Sequence, residues 1–241
     1  MRRCRGRVPA DSVDRITSSR APGTAYRLAA LARGAYAVVR DRRSEGPPQR
    51  RPFPREWGVD RQGRKLLVLD IDETLVFASE HALDRPADLR VAGYHVYKRP
   101  HLDAFLDYAF ATFEVGVWTS SGQGYAEPLV AQLMGAHPVA FVWSSARCST
   151  ARDWETGHYA SEKRLAKLKK LGFALDQIIG IDDTPRKYAK NYGNLVCVRE
   201  FTGDPCDDEL SHLPRYLAHL DRAPRIRTVE KRNWREQLLR L

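Results

Sequence analysis

From residue 65 onward the apolar positions fall into two alternating rhythms. Lys65–Leu69, Glu114–Trp118, Gln177–Ile181 and Leu195–Val198 are short apolar runs, each closed by polar or turn-forming residues. Runs with no polar face suit strands buried on both sides of a parallel sheet. Between them, Pro100–Ala109, Tyr125–Met134, Glu162–Leu171 and Asp208–Leu220 carry apolar residues at helical spacing, the last through Leu210, Leu213, Leu217 and Leu220. The alternation predicts an α/β fold, a doubly wound parallel sheet with helices on both faces. The intervals from Thr74 to Thr119 and from Met134 to Lys163 leave room for hairpins or a small insert, and too little for a large separate cap domain. Thr228–Leu241 reads as one further basic helix.

The pattern also sets the domain limits. Ser44–Arg64 holds Gly46-Pro47-Pro48, Pro52, Pro54, Gly58 and Gly63 among arginines, which marks a linker with no core-forming periodicity. Three segments are expected: a basic, flexible N-terminal arm and linker over 1–64, one folded domain over 65–221, and a basic C-terminal tail or helix over 222–241. A chain of 241 residues, 43% of them hydrophobic, suffices for one such core.

Charge refines this division. The formal net charge is +10, yet residues 1–65 hold 17 Lys/Arg against 6 Asp/Glu and residues 222–241 hold 7 against 2. Residues 66–221 hold 16 against 22, so the domain itself is mildly acidic. Solvated tails are the preferred reading of the basic ends, with a nucleic-acid contact through the arm as the alternative. Cys4, Cys148, Cys197 and Cys206 have no metal-knot spacing, which fits a reducing compartment. No run approaches the roughly 18 to 20 apolar residues of a membrane span, and the N-terminus has no secretory apolar stretch. A soluble, cytoplasmic protein is expected, or an organellar one if the Arg-rich, acid-poor residues 1–40 act as a transit helix. Oligomeric state is left open.

In an open α/β sheet, ligands bind beyond the carboxyl ends of the strands, so the residues following each run belong together. They are Asp70-Ile71-Asp72-Glu73-Thr74, Thr119-Ser120-Ser121-Gly122 and Asp182-Asp183-Thr184-Pro185. Four aspartates gathered at one edge need a cation or protonation to offset their repulsion. Carboxylate ligands with positions left for water and phosphate describe Mg2+. Asp70 and Asp72, two apart at a strand end, can divide labour: one attacks phosphorus, and the other protonates the departing oxygen and then activates water. Taken singly, such residues are more often helix caps; Asp183 before Thr184-Pro185 fits a cap with proline in the first turn. Trp118 and Trp143 read as core or rim aromatics, and Ser120 and Ser121 as possible caps.

Leu67-Val68-Leu69-Asp70-Ile71-Asp72-Glu73-Thr74-Leu75-Val76 resembles the first motif of the haloacid dehalogenase superfamily, in the form found in NLI-interacting-factor-like phosphatases that act on the RNA polymerase II C-terminal domain. Lys98-Arg99-Pro100-His101-Leu102-Asp103-Ala104-Phe105-Leu106, Val117-Trp118-Thr119-Ser120-Ser121 and Tyr125-Ala126-Glu127-Pro128-Leu129-Val130 are similar to its next blocks. Asp182-Asp183-Thr184-Pro185 resembles its fourth motif. Asn191-Tyr192-Gly193-Asn194 sits where that family has an asparagine-containing segment. The likeness covers about Lys65 to Leu220.

The resemblance implies a Rossmann-like domain with a small cap or none, and a Mg2+-dependent phosphomonoesterase working through a phospho-aspartate. It implies Asp70 as nucleophile, Asp72 as general acid/base, Thr119 as a phosphate-binding hydroxyl, and a metal held by Asp70, the Asp72 backbone carbonyl and Asp182, with Asp183 close by. Thr74 and Ser120 join Thr119 as candidate phosphate contacts. The family's phosphate-binding lysine falls on Lys163 in Lys163-Arg164-Leu165-Ala166-Lys167-Leu168, with Lys167 as alternative. An open site points to a phosphorylated protein or peptide, at Ser or Thr, as substrate. Two other classes compete: a binding module of the same fold, and a nucleic-acid end phosphatase using the basic arm.

Overall fold

A computed structural model describes residues 63–152, 157 and 159–240; residues 1–62 of the expected arm lie outside the described residues. In chain order the elements are β1 (Leu66–Leu69), β2 (Val76–Ser79), β3 (Leu89–Val91), β4 (Tyr94–Lys98), α1 (Leu102–Thr112), β5 (Glu114–Trp118), α2 (Gln123–Met134), β6 (Val142–Trp143), β7 (Ser149–Arg152), β8 (Tyr159–Glu162), β9 (Ile178–Asp182), β10 (Leu195–Cys197), α3 (Glu209–Arg222) and α4 (Trp234–Gln237).

The central sheet has five parallel strands in the order β10-β9-β1-β5-β6. From β1 the chain builds outward to one side through β5 and β6, and then to the other through β9 and β10. The order therefore reverses at β1, and a crevice opens beyond its carboxyl end. Pairing of Leu69 with both Val117 and Ile181 sets the residues after them, Asp70, Trp118 and Asp182, level with one another.

Every residue of β1 is buried because the sheet is covered on both faces. Leu67 and Leu69 join Val115, Val117, Ile179 and Ile181 in a core with α1, α2 and α3. Leu66 and Val68, pointing the other way, join Trp118, Trp143, Leu165, Leu168 and Tyr188. On this second face the cover is 3-10 structure, Leu165–Leu171 and Pro185–Tyr188. Trp118 and Trp143 meet edge to face at 4.8 Å, the core role expected of them.

The expected helix Glu162–Leu171 is corrected. Residues up to Glu162 pair in the β7–β8 hairpin. The Lys163 N–H then donates to the Lys187 carbonyl at 2.7 Å, and that of Leu165 to Asn191 Oδ1 at 3.1 Å. These tertiary bonds hold the chain extended where α geometry would begin, and only a tighter 3-10 segment follows, closed by Gly172 at φ 86°. The two intervals with room for hairpins hold the antiparallel sheet β2-β4-β3 and the β7–β8 pair.

The C-terminal segment packs back onto the domain. Ile226, Trp234 and Leu238 belong to the first core, and Trp234 Nε1 donates to the Cys197 carbonyl at 2.8 Å. Regular helix there is limited to α4, shorter than the expected Thr228–Leu241.

Arg99 links the inserts to this frame. Its buried guanidinium donates to Asp207 (2.7 and 2.8 Å), the Thr74 carbonyl (3.0 Å) and the Arg199 carbonyl (2.8 Å). Arg99→Met strands Asp207 and two carbonyls, and is expected to cost about 3–5 kcal/mol of stability, read by denaturant unfolding.

Candidate active site

The loop after β1 is wound tightly around Ile71, whose carbonyl accepts from the N–H groups of Thr74, Leu75 and Val76 at 3.2, 2.7 and 3.2 Å. Glu73 takes a left-handed conformation at φ 57° within it. Thr74, a candidate phosphate contact, is fully buried. Its hydroxyl donates to Asp183 Oδ1 at 3.3 Å and accepts from the Asp183 N–H at 3.2 Å. Through these two bonds Thr74 fastens the loop after β1 to the end of β9.

Asp70 is 1% exposed and lies between two ammonium groups. Lys163 Nζ stands 2.8 Å from its Oδ1, and Lys187 Nζ 2.6 Å from its Oδ2. Burial alone would raise its pKa, but the two cations outweigh that and hold it below the usual carboxylate range. Each oxygen of this ionised carboxylate therefore faces one ammonium group.

Lys163 also reaches Asp182 Oδ2 at 2.6 Å, with its side chain wholly buried. Lys167 points elsewhere, its Nζ donating to the Arg147 carbonyl at 2.6 Å. Of the two lysines, Lys163 is the one the fold brings to Asp70. Asp182 is raised by burial and by the charge of Asp70, against the pull of both lysines. Its Oδ1 caps the N–H of Thr184 at 2.9 Å, so the turn Pro185–Tyr188 begins at Thr184, not at Asp183.

Asp72 is half-buried and faces a different set of partners. Its Oδ2 accepts from Ser121 Oγ at 2.5 Å and lies 3.5 Å from Thr119 Oγ1; its Oδ1 accepts from Tyr125 OH at 2.7 Å. Burial and the charge of Asp70 raise its pKa, while the two hydroxyl bonds oppose them. Glu73 beside it is pushed up to about 8 by burial and by Asp72 and Asp183. Two neighbouring aspartates are thus driven in opposite directions, the arrangement an acid and a nucleophile need.

Thr119, buried at the end of β5, accepts the Ser121 N–H on its own oxygen at 3.0 Å. Ser120 Oγ is buried with no hydrogen-bond partner, and neither serine caps α2, whose N-cap is Gly122 without a side-chain bond.

A metal fits this edge. Asp70, Asp182 and Asp183 each offer a carboxylate oxygen, all within 4.8 Å of one another, and the set of hard oxygen donors suits Mg2+. The side chain of Asp72, counted among the candidate ligands, lies outside that group, leaving its backbone carbonyl as its possible contribution. Lys187 and Tyr125 were not among the expected site residues, and Ser121 was expected only as one hydroxyl of the cluster after the second strand run or as a cap. Tyr125 stood at a helical apolar position and in the block resembling the helix after the family's second motif.

Comparison with known proteins places these residues in context. A family model described as NLI interacting factor-like phosphatase matches residues 65–227. The chain is 31% identical over 186 residues to the CTD small phosphatase-like protein of Homo sapiens, covering 73% of this chain and 63% of that protein. It is 29% identical over 173 residues to the human carboxy-terminal domain RNA polymerase II polypeptide A small phosphatase 1, covering 68% and 62%. The chain therefore spans less than two thirds of either relative. Among solved structures, fission yeast RNA polymerase II CTD phosphatase Fcp1-R271A bound to beryllium fluoride aligns at a TM-score of 0.45 and 18% identity, over 74% of this chain and 50% of that one.

Proposed function

Because this chain belongs to the NLI interacting factor-like phosphatase family, we propose that it hydrolyses phosphate monoesters through a phospho-aspartate on Asp70, acting on phosphorylated Ser or Thr side chains of a protein. The observation that carries this reading is the opposed pair at the end of β1. Asp70 is held ionised by Lys163 and Lys187, and Asp72 is shifted toward its protonated form.

Asp70 attacks phosphorus, and the ester oxygen leaves with a proton from Asp72. Asp72, now ionised, takes a proton from water, which attacks the phosphorus of the acyl phosphate and releases Asp70 and inorganic phosphate. Lys163, fixed between Asp70 and Asp182, places a buried positive charge beside the phosphoryl oxygens as charge develops on them. Thr119, which follows β5 and lies 3.5 Å from Asp72, is the hydroxyl assigned to one of those oxygens. Asp70, Asp182 and Asp183, with the Asp72 carbonyl, would hold Mg2+, which neutralises phosphoryl charge and orients the ester. Ser121 and Tyr125 fix the rotamer of Asp72 from both of its oxygens.

Access among the described residues supports the substrate class. The inserts are a small antiparallel sheet and a hairpin, and Asp72, Ser120 and Ser121 retain partial exposure. A phosphorylated side chain on a larger molecule can therefore approach. No helix among the described residues is long and apolar enough to cross a membrane. Nucleic-acid contact through the arm involves residues outside those described.

The direct test is hydrolysis of p-nitrophenyl phosphate by the purified chain with Mg2+ and with excess chelator. Turnover is expected with the metal and not with the chelator. A folded chain inactive under both conditions would favour the binding-module reading.

A further inference from the structure

Lys187 helps hold Asp70 ionised but takes no step of its own in the reaction written above, yet it touches all three clustered carboxylates. Its Nζ stands 2.6 Å from Asp70 Oδ2, 3.2 Å from Asp182 Oδ1 and 3.6 Å from Asp183 Oδ1. These three side chains are the ones whose oxygens gather as a potential cation site. The other lysine is placed differently: Lys163 is wholly buried and touches Asp70 and Asp182 only, whereas the Lys187 side chain retains 16% exposure. Lys187 is thus the cation on the solvent side of the cluster.

Its backbone is held firmly. The Lys187 N–H donates to the Thr184 carbonyl at 3.1 Å, and its own carbonyl accepts from Lys163 at 2.7 Å. The neighbouring Tyr188 is fully buried, with its ring against the open face of Gly180 in β9. Movement is therefore left to the flexible four-carbon stem and its compact, strongly hydrated ammonium.

An ammonium at these distances and a divalent ion coordinated at about 2.0–2.1 Å by oxygens of the same three carboxylates compete for one cluster of negative charge. They would also repel each other. We propose that Lys187 is a built-in competitor for the divalent cation: its ammonium satisfies Asp70, Asp182 and Asp183 in the metal-free protein and must swing out for the metal to enter. Lys187 thereby weakens and tunes metal affinity while keeping the clustered carboxylates compatible with a folded metal-free chain. The inference rests on the metal reading of the proposed function.

The test is calorimetric titration of Mg2+ into the full chain, as wild type, Lys187→Met and Lys187→Arg, with thermal melts of each protein with and without the ion. Lys187→Met is expected to bind Mg2+ at least tenfold more tightly than wild type. It should also melt lower than wild type without metal and gain more on adding it. Lys187→Arg, which keeps the charge, should bind no more tightly than wild type. Lys187→Gln serves in place of the methionine variant if that one does not fold. Equal or weaker binding by the neutral variants overturns the inference while leaving the metal reading intact. Absence of Mg2+ binding in every protein, neutral variants included, overturns both.

Discussion

Asp70→Asn is expected to lower kcat for p-nitrophenyl phosphate by about 10⁴-fold or more, with far-UV circular dichroism unchanged. The substitution keeps the shape of the side chain and removes its charge. In the metal-free protein Asp70 sits between Lys163 and Lys187, at 2.8 and 2.6 Å, and their combined field keeps it ionised; with the metal bound, the cation would take over the part of Lys187. A neutral amide there is a poor nucleophile, and no other carboxylate occupies its position level with Trp118 and Asp182 at the sheet's switch point. The two lysines retain Asp182 and Asp183 as partners, so the loss should fall on the reaction and not on folding. Residual activity near that of wild type would place the nucleophile elsewhere.

Asp72→Asn is expected to cost about 10²–10⁴-fold, the usual range for removing a positioned proton donor, and its signature is the dependence on substrate and pH. A p-nitrophenolate leaves readily without a proton, whereas the alkoxide of a serine does not, so the loss should be larger for a phosphoserine peptide than for the aryl ester. In wild type, kcat/KM requires Asp70 ionised and Asp72 protonated. Asp70 is shifted down and Asp72 up, so activity should be lost on the acid side only below the usual carboxylate range. On the alkaline side it should fall as pH rises through the elevated pKa of Asp72. The alkaline limb should disappear in Asp72→Asn. A profile with the same alkaline limb in both proteins would assign that proton to another group, Glu73 being nearest in sequence.

How much of this was legible in the sequence depended on whether one segment or several carried the signal. Strands β1 and β5 and the aspartates beyond β1 and β9 were readable because runs such as Leu66–Leu69 are buried on both faces, which few other local structures allow. Parallel pairing then brings the strand ends level. The segment from Glu162 to Leu171 misled because its helical apolar spacing is real, with Leu165 and Leu168 packed in the core. Hydrogen bonds to Lys187 and Asn191, distant in sequence, decide its backbone.

Hydrogen-bond partners within the site were not legible for the same kind of reason. Thr74 and Ser121 both carry hydroxyls near the motif. One bonds Asp183 and the other bonds Asp72, a distinction made only by the crossing of two loops. Lys163 was reached through resemblance to a family block, since nothing local separates it from Lys167. Lys187 stands four residues after Asp183, one turn away, and so do many lysines that face only water. The turn Pro185–Tyr188 is what aims it inward.

The central claim, a covalent phosphoryl group on Asp70, is tested most directly by trapping it. Acid quench of Asp72→Asn during turnover of p-nitrophenyl phosphate, in which release of the good leaving group outruns water activation, followed by borohydride reduction, converts an acyl phosphate into homoserine. Mass spectrometry of the resulting peptides should locate homoserine at position 70, dependent on substrate and absent from Asp70→Asn. Turnover with unmodified Asp70 across matched quench times, or with the reduced residue at another position, would contradict the account.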